Sequence, residues 1–108
     1  MADVLAVLTN APDEATAQDI ATSLVTSGLA ACVNVLAPCR SVYRWQGVVE
    51  SAQEVPLLIK TTRARYAEVE AAIVAAHPFE VPEIIALPVG DGLPAYLDWV
   101  ATETAAPR

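Results

Sequence analysis

The sequence predicts a mixed α+β domain of the split βαβ type, carrying a long β-hairpin and an extra C-terminal helix. Three observations lead there: a first strand apolar on both faces, a hairpin centred on Gln46-Gly47, and two capped amphipathic helices that divide the strands. A length of 108 residues suits one core, so residues 1–108 are read as a single domain. Alanine inflates the 55% hydrophobic content and aromatics are only 6%, which predicts a core of Val, Ile, Leu and Ala.

In strand one, Val4, Ala6 and Leu8 alternate with Leu5, Val7 and Thr9, the pattern of a central strand buried on two sides. Asn10 is placed to cap the helix that follows, Pro12 falls in its first turn, and Asp13 and Glu14 complement the positive end of its dipole. Ala17, Ile20, Ala21, Leu24 and Val25 form its apolar stripe, and Gly28 supplies the left-handed cap, so helix one is predicted from Asp13 to Ser27.

Residues Ala30 to Trp45 read as strand with a bend at Pro38, and Val48 to Thr61 as the returning strand, with a bulge, edge or register shift beside Pro56. About 14 residues at ~3.4 Å each reach further than a globule of this size can cover. The arm is therefore expected to overhang, with Val42, Tyr43, Trp45, Val48 and Val49 near its tip. An isolated two-stranded ribbon is marginal in water, so a neighbouring subunit is expected to shelter it.

Thr62 is placed to cap helix two, whose buried stripe is Tyr66, Val69, Ile73 and Ala76 and whose end is marked by His77-Pro78. Glu83 to Val89 reads as a strand, Gly90-Asp91-Gly92 as a turn, and Pro94 as the start of a last helix turning Leu97 and Val100 inward, with the tail frayed from Ala101. The resulting order is that of ferredoxin-like domains.

Thirteen acidic against six basic residues give a net charge of −7, which repels phosphate backbones and anionic headgroups, so neither nucleic acid nor a membrane is expected as a partner. MADVLAVLTNAPDE lacks the basic start of a signal peptide, and no apolar run reaches the ~18 residues of a membrane span. Cys32 and Cys39 lie seven positions apart on one extended segment. Pro38 could bend them into a disulfide, but free thiols in a reducing, cytoplasmic compartment are the simpler reading.

The strings NAPDEATAQDIA, LAACVNVL, SVYRWQG, LLIKTT, HPFEVPEIIALPV and YLDW, in that order, resemble the CutA divalent-cation-tolerance family from Val4 to Trp99. The resemblance implies a homotrimer built like the PII-type signalling proteins and a link to copper and other divalent metals. It also points to a copper site at the end of strand one and before the Pro of helix two, positions that hold Thr9, Ala76 and His77 here. A hydroxyl and a methyl are poor substitutes for thiolate and imidazole.

His77 fits two roles, a metal-binding or switching imidazole and a cap for free carbonyls at the helix end. Cys32 is the other metal candidate, although on a packed strand it fits a small buried hydrophobe better than a ligand. Tyr43, Trp45, Glu54, Lys60, His77 and Glu83 are the candidates for an intersubunit cleft. There Lys60 either holds an anionic ligand or forms an ion pair, and the two aromatics act as interface anchors. Phe79 stands where the family carries Tyr. Glu80 and Glu83 are paired acids, yet no phosphate loop, nucleophile elbow or local triad accompanies them. The expected function is a non-catalytic homotrimer in the response to metal ions, binding copper or another divalent cation weakly. The alternative is a PII-like signalling or scaffold trimer that takes a small ligand in its clefts.

Overall fold

One 15-residue strand organises the molecule. In the computed structural model, which describes residues 3–105, the elements are β1 (Val4–Ala11), α1 (Glu14–Thr26), β2 (Cys32–Val35), β3 (Cys39–Trp45), β4 (Val48–Thr62), α2 (Tyr66–Ala76), β5 (Ile84–Pro88) and α3 (Pro94–Glu103). The strand order is β2-β4-β1-β5, all antiparallel, and β3 continues the sheet along the outer half of β4. This is the ferredoxin-like arrangement that the pattern predicts.

Strand pairing decides which side chains share a face, because directly opposed residues point the same way. Val7 lies opposite Ile59 and Ala86, and Thr9 opposite Leu57 and Ile84; this face lies under α1 and α2 and forms the main core with Ile20, Leu24, Val69 and Ile73. On the other face Ala6 aligns with Lys60 and Leu87, and Leu8 with Leu58 and Ile85. There α3 covers only one end, where Val100 packs on Val4 and Ala31. The rest is open, and Ile85 and Leu87 are 48% and 49% exposed. The two-sided burial expected of β1 is thus complete on the helical side and partial on the other.

β1 pairs with β4 from Val55 to Thr62 in an unbroken register. On its other edge β4 meets β2 and then β3, with Val35 opposite Leu57 and Cys39 opposite Glu54. Three residues, Leu36 to Pro38, therefore span a gap that β4 crosses with two, and the extra residue is a bulge on the β2–β3 side. The Leu36 N–H donates to the Pro56 carbonyl at 2.9 Å. A strand residue's N–H and C=O leave on the same side, so the donor that Pro56 lacks faces this interrupted stretch, and the β1 ladder loses nothing.

Beyond the bulge, β3 and β4 form the expected arm, about 23 Å long at ~3.3 Å per residue, within principal extents of 45 × 26 × 23 Å. Gln46 and Gly47 turn it with φ of +49° and +81°, the doubly positive geometry of a two-residue hairpin turn.

Several local expectations need correction. Asn10 does not cap α1: β1 runs on through Ala11, which moves the cap to Asp13, whose carboxylate accepts from the Thr16 N–H at 2.7 Å. Pro12 accordingly precedes the helix. Val25 faces solvent, while Ala17, Ile20, Ala21 and Leu24 carry the buried stripe; Gly28 takes φ +76° as expected. Thr62 makes no side-chain cap, because a 3-10 turn over Arg63–Arg65 intervenes before α2. In α2 Ala76 is exposed and Ala72 packs on the core instead. The tail is not frayed at Ala101: α3 continues to Glu103, and buried Thr104 donates to the Val100 carbonyl at 2.8 Å.

The Asp13 cap has a pH signature. Its bond to the Thr16 backbone holds the Asp13 carboxyl below its usual value of 3.8. Stability from this cap is therefore full above that value and is lost as pH falls through the depressed folded-state pKa. Urea unfolding is expected to place Asp13→Ala below the wild type at pH 7, and the gap to narrow once the pH drops below 3.8.

Candidate functional site

The loop between α2 and β5 folds toward the base of the arm and closes a cleft of about 770 Å³. Tyr43, Trp45, Glu50 and Glu54 come from the arm, and Phe79, Glu80, Val81 and Glu83 from the loop. On the ladder Tyr43 is opposite Glu50 and Trp45 opposite Val48, so the arm offers one aromatic and acidic face to the cleft. Asn10 at the end of β1 anchors the other wall by donating from Nδ2 to Glu83 Oε1 at 3.2 Å. Four carboxylates line the cleft and no basic side chain does.

Of the residues expected to meet in a cleft, Tyr43, Trp45, Glu54 and Glu83 are brought together and Lys60 and His77 are not. Lys60 lies six residues along β4 from Glu54, roughly 20 Å away at strand rise. It sits on the open sheet face opposite Cys32, where its ammonium donates to Asn34 Oδ1 and lies 3.8 Å from Cys32 Sγ. Among the described residues of the chain it does not line this cleft and pairs with no carboxylate. Tyr96 of α3 reaches the same thiol; burial first, and Cys32 second, raise its phenol above the usual tyrosine range. Both cysteines are free, Cys32 half-buried and Cys39 exposed on the arm.

His77 ends α2 with extended backbone and a buried ring. Nε2 lies 2.6 Å from the Asn10 carbonyl oxygen, which can only accept, so Nε2 carries the proton. Nδ1 then accepts the Phe79 N–H at 3.1 Å. Both ring nitrogens are used, one pinning β1 and the other shaping the loop that walls the cleft. The carbonyl served belongs to a distant strand rather than to the helix's own end, a partner that no local pattern in the sequence reveals.

Thr9, at the position where the family resemblance places a thiolate, is 1% exposed, and its hydroxyl has no hydrogen-bond partner. Among the described residues no three His, Cys, Asp or Glu side chains are gathered for a metal ion. Nor is any helix among them long and apolar enough to cross a membrane.

Fold and site together define a ferredoxin-like domain extended by a ribbon arm, with an acidic, aromatic cleft at the arm's base. Residues 5–103 match the family model described as CutA1 divalent ion tolerance protein. The chain belongs to this CutA1 family. It is similar to the divalent-cation tolerance protein CutA of Thermus thermophilus, 46% identical over 91% of this chain and 95% of that protein. A CutA homolog of Xenopus laevis is 44% identical over 82% of this chain, which spans only 59% of that longer protein. A solved structure described as the periplasmic divalent cation tolerance protein CutA of Archaeoglobus fulgidus superposes with a TM-score of 0.90 at 35% identity, covering 94% of this chain and 98% of its own.

Two substitutions separate structural from ligating roles. His77→Ala leaves the Asn10 carbonyl and the Phe79 N–H without partners, and is expected to cost roughly 2–4 kcal/mol in chemical denaturation. Thr9→Val removes an orphaned hydroxyl at constant shape and is expected to stabilise by about 1 kcal/mol in the same measurement.

Proposed function

We propose that this protein acts as a non-catalytic homotrimer in the cell's response to divalent cations, in the cytoplasm. The observation that carries the assembly is the uncovered sheet face, with Leu58, Ile85 and Leu87 on it, running into an arm that no other element supports. Contiguous apolar surface of this kind marks a contact between chains, and the ribbon gains from neighbours the cover it lacks alone. The names of the relatives support the metal-related role. Free thiols fit a reducing compartment.

The chemistry of metal binding follows from the donors. The single histidine has both nitrogens engaged, and Cys32 faces an ammonium rather than a second soft ligand. Divalent cations are therefore held by carboxylate oxygens of a surface with net charge −7, weakly and without the preference for copper that thiolate and imidazole confer. A PII-like anion sensor is less well supported, since the cleft contains acids and no base.

Sedimentation at micromolar concentration is expected to give three times the 11.4 kDa chain mass; a monomer across that range would end the reading. Titration of the metal-free protein with Cu(II), Zn(II) and Mg(II) is expected to show weak binding of all three. A tight, copper-selective site would require a different donor set.

A further inference from the structure

The cleft at the base of the arm carries negative charge that the chain itself does not neutralise. Among the described residues Glu50, Glu54, Glu80 and Glu83 form no ion pair, and only Glu83 accepts a hydrogen bond, from Asn10. Arg40 and Arg44 alternate with Tyr43 and Trp45 along β3 and do not line the cleft. The acids are not gathered as metal ligands either. Glu50 and Glu54 lie four residues apart on one face of β4, roughly 13 Å at strand rise, and Glu80 and Glu83 stand on the loop wall.

Between these carboxylates the lining is aromatic. Tyr43, Trp45 and Phe79 are 41%, 39% and 43% exposed, rings that the fold presents to the cleft rather than packs away. Phe79 is fixed there, with its ring 4.6 Å from that of His77 and its N–H bound to Nδ1 of the same residue. A volume of about 770 Å³ is that of a small-molecule site.

The lining selects the kind of cation. Hydrated Mg(II) keeps most of its water and needs oxygens closing on one point, so aromatic walls and scattered acids offer it little. An alkylammonium ion suits both features: its charge is attracted to ring faces and carboxylates, and its methylenes cover apolar surface. A compact ammonium reaches the acids of one end of the cleft, whereas a chain with charges several methylenes apart reaches both Glu50 and Glu54 and the loop acids.

We propose that the arm–loop cleft binds a linear aliphatic polyamine, with its ammonium groups on Glu50, Glu54, Glu80 and Glu83 and its methylenes against Tyr43, Trp45 and Phe79. This goes beyond the response to divalent cations and does not rest on the trimer, because one chain supplies every wall.

Calorimetric titration with spermidine at low salt tests it on the wild type and on two charge-matched variants, each confirmed as folded by circular dichroism. Glu50→Gln/Glu80→Gln alters the cleft, and Glu14→Gln/Asp19→Asn removes the same charge from the exposed side of α1. The wild type and the α1 variant are expected to bind one spermidine per chain with equal affinity, and the cleft variant at least tenfold more weakly. Mg(II) and tetramethylammonium are expected to bind the wild type at least tenfold more weakly than spermidine. Equal weakening in both variants would reduce the effect to general surface charge and overturn the site. Absence of spermidine binding to the wild type overturns it too, as does tetramethylammonium or Mg(II) binding as tightly as spermidine.

Discussion

The structure depends on the continuity of β4. Its inner half is buried between β1 and β2 and fixes the rows of the sheet, while its outer half is the sole support of β3. A strand this long is stable only where hydrogen bonding and side-chain burial both continue along it, and on β4 burial stops at Val55 while pairing runs on to Val48. The arm is the product of that mismatch. It retains a satisfied backbone ladder but little core, so its order depends on what lies against it.

Pattern reveals such an architecture well where the determining interactions are local. Gly28 takes the left-handed turn expected of it, Pro94 opens its helix, Gln46-Gly47 forms the hairpin turn, and Pro38 falls in the break between strands. The misreadings share a cause. Asn10 and Asp13 are equally good caps by residue type, and what separates them is how far β1 stays paired with β4, a non-local fact. Val25 and Ala76 fall on apolar stripes whose true width is set by the neighbouring helix and sheet, which period alone does not describe.

The candidate site was legible by half. Tyr43, Trp45, Glu54 and Glu83 meet within one chain because the arm and the loop fold toward one another, whereas the cleft expected of them lay between subunits. Lys60 shares a strand and a face with Glu54 but not a position along it. His77 was a reasonable ligand by chemistry alone, and its hydrogen bond to a strand 67 residues earlier in the chain is invisible until the fold is known. His77 holds two segments of backbone in register, and the cleft wall depends on it.

The bulge at Leu36–Pro38 carries a further consequence. It puts the odd-numbered residues of β3 on the side that the even-numbered residues occupy in β2 and β4. Removing one residue between Val35 and Cys39 would turn the ribbon inside out, sending Tyr43 and Trp45 to the back and both arginines into the acids of their own chain. Length change in this short connection is thus constrained by parity: a step of two leaves the handedness of the arm intact, and a step of one inverts it.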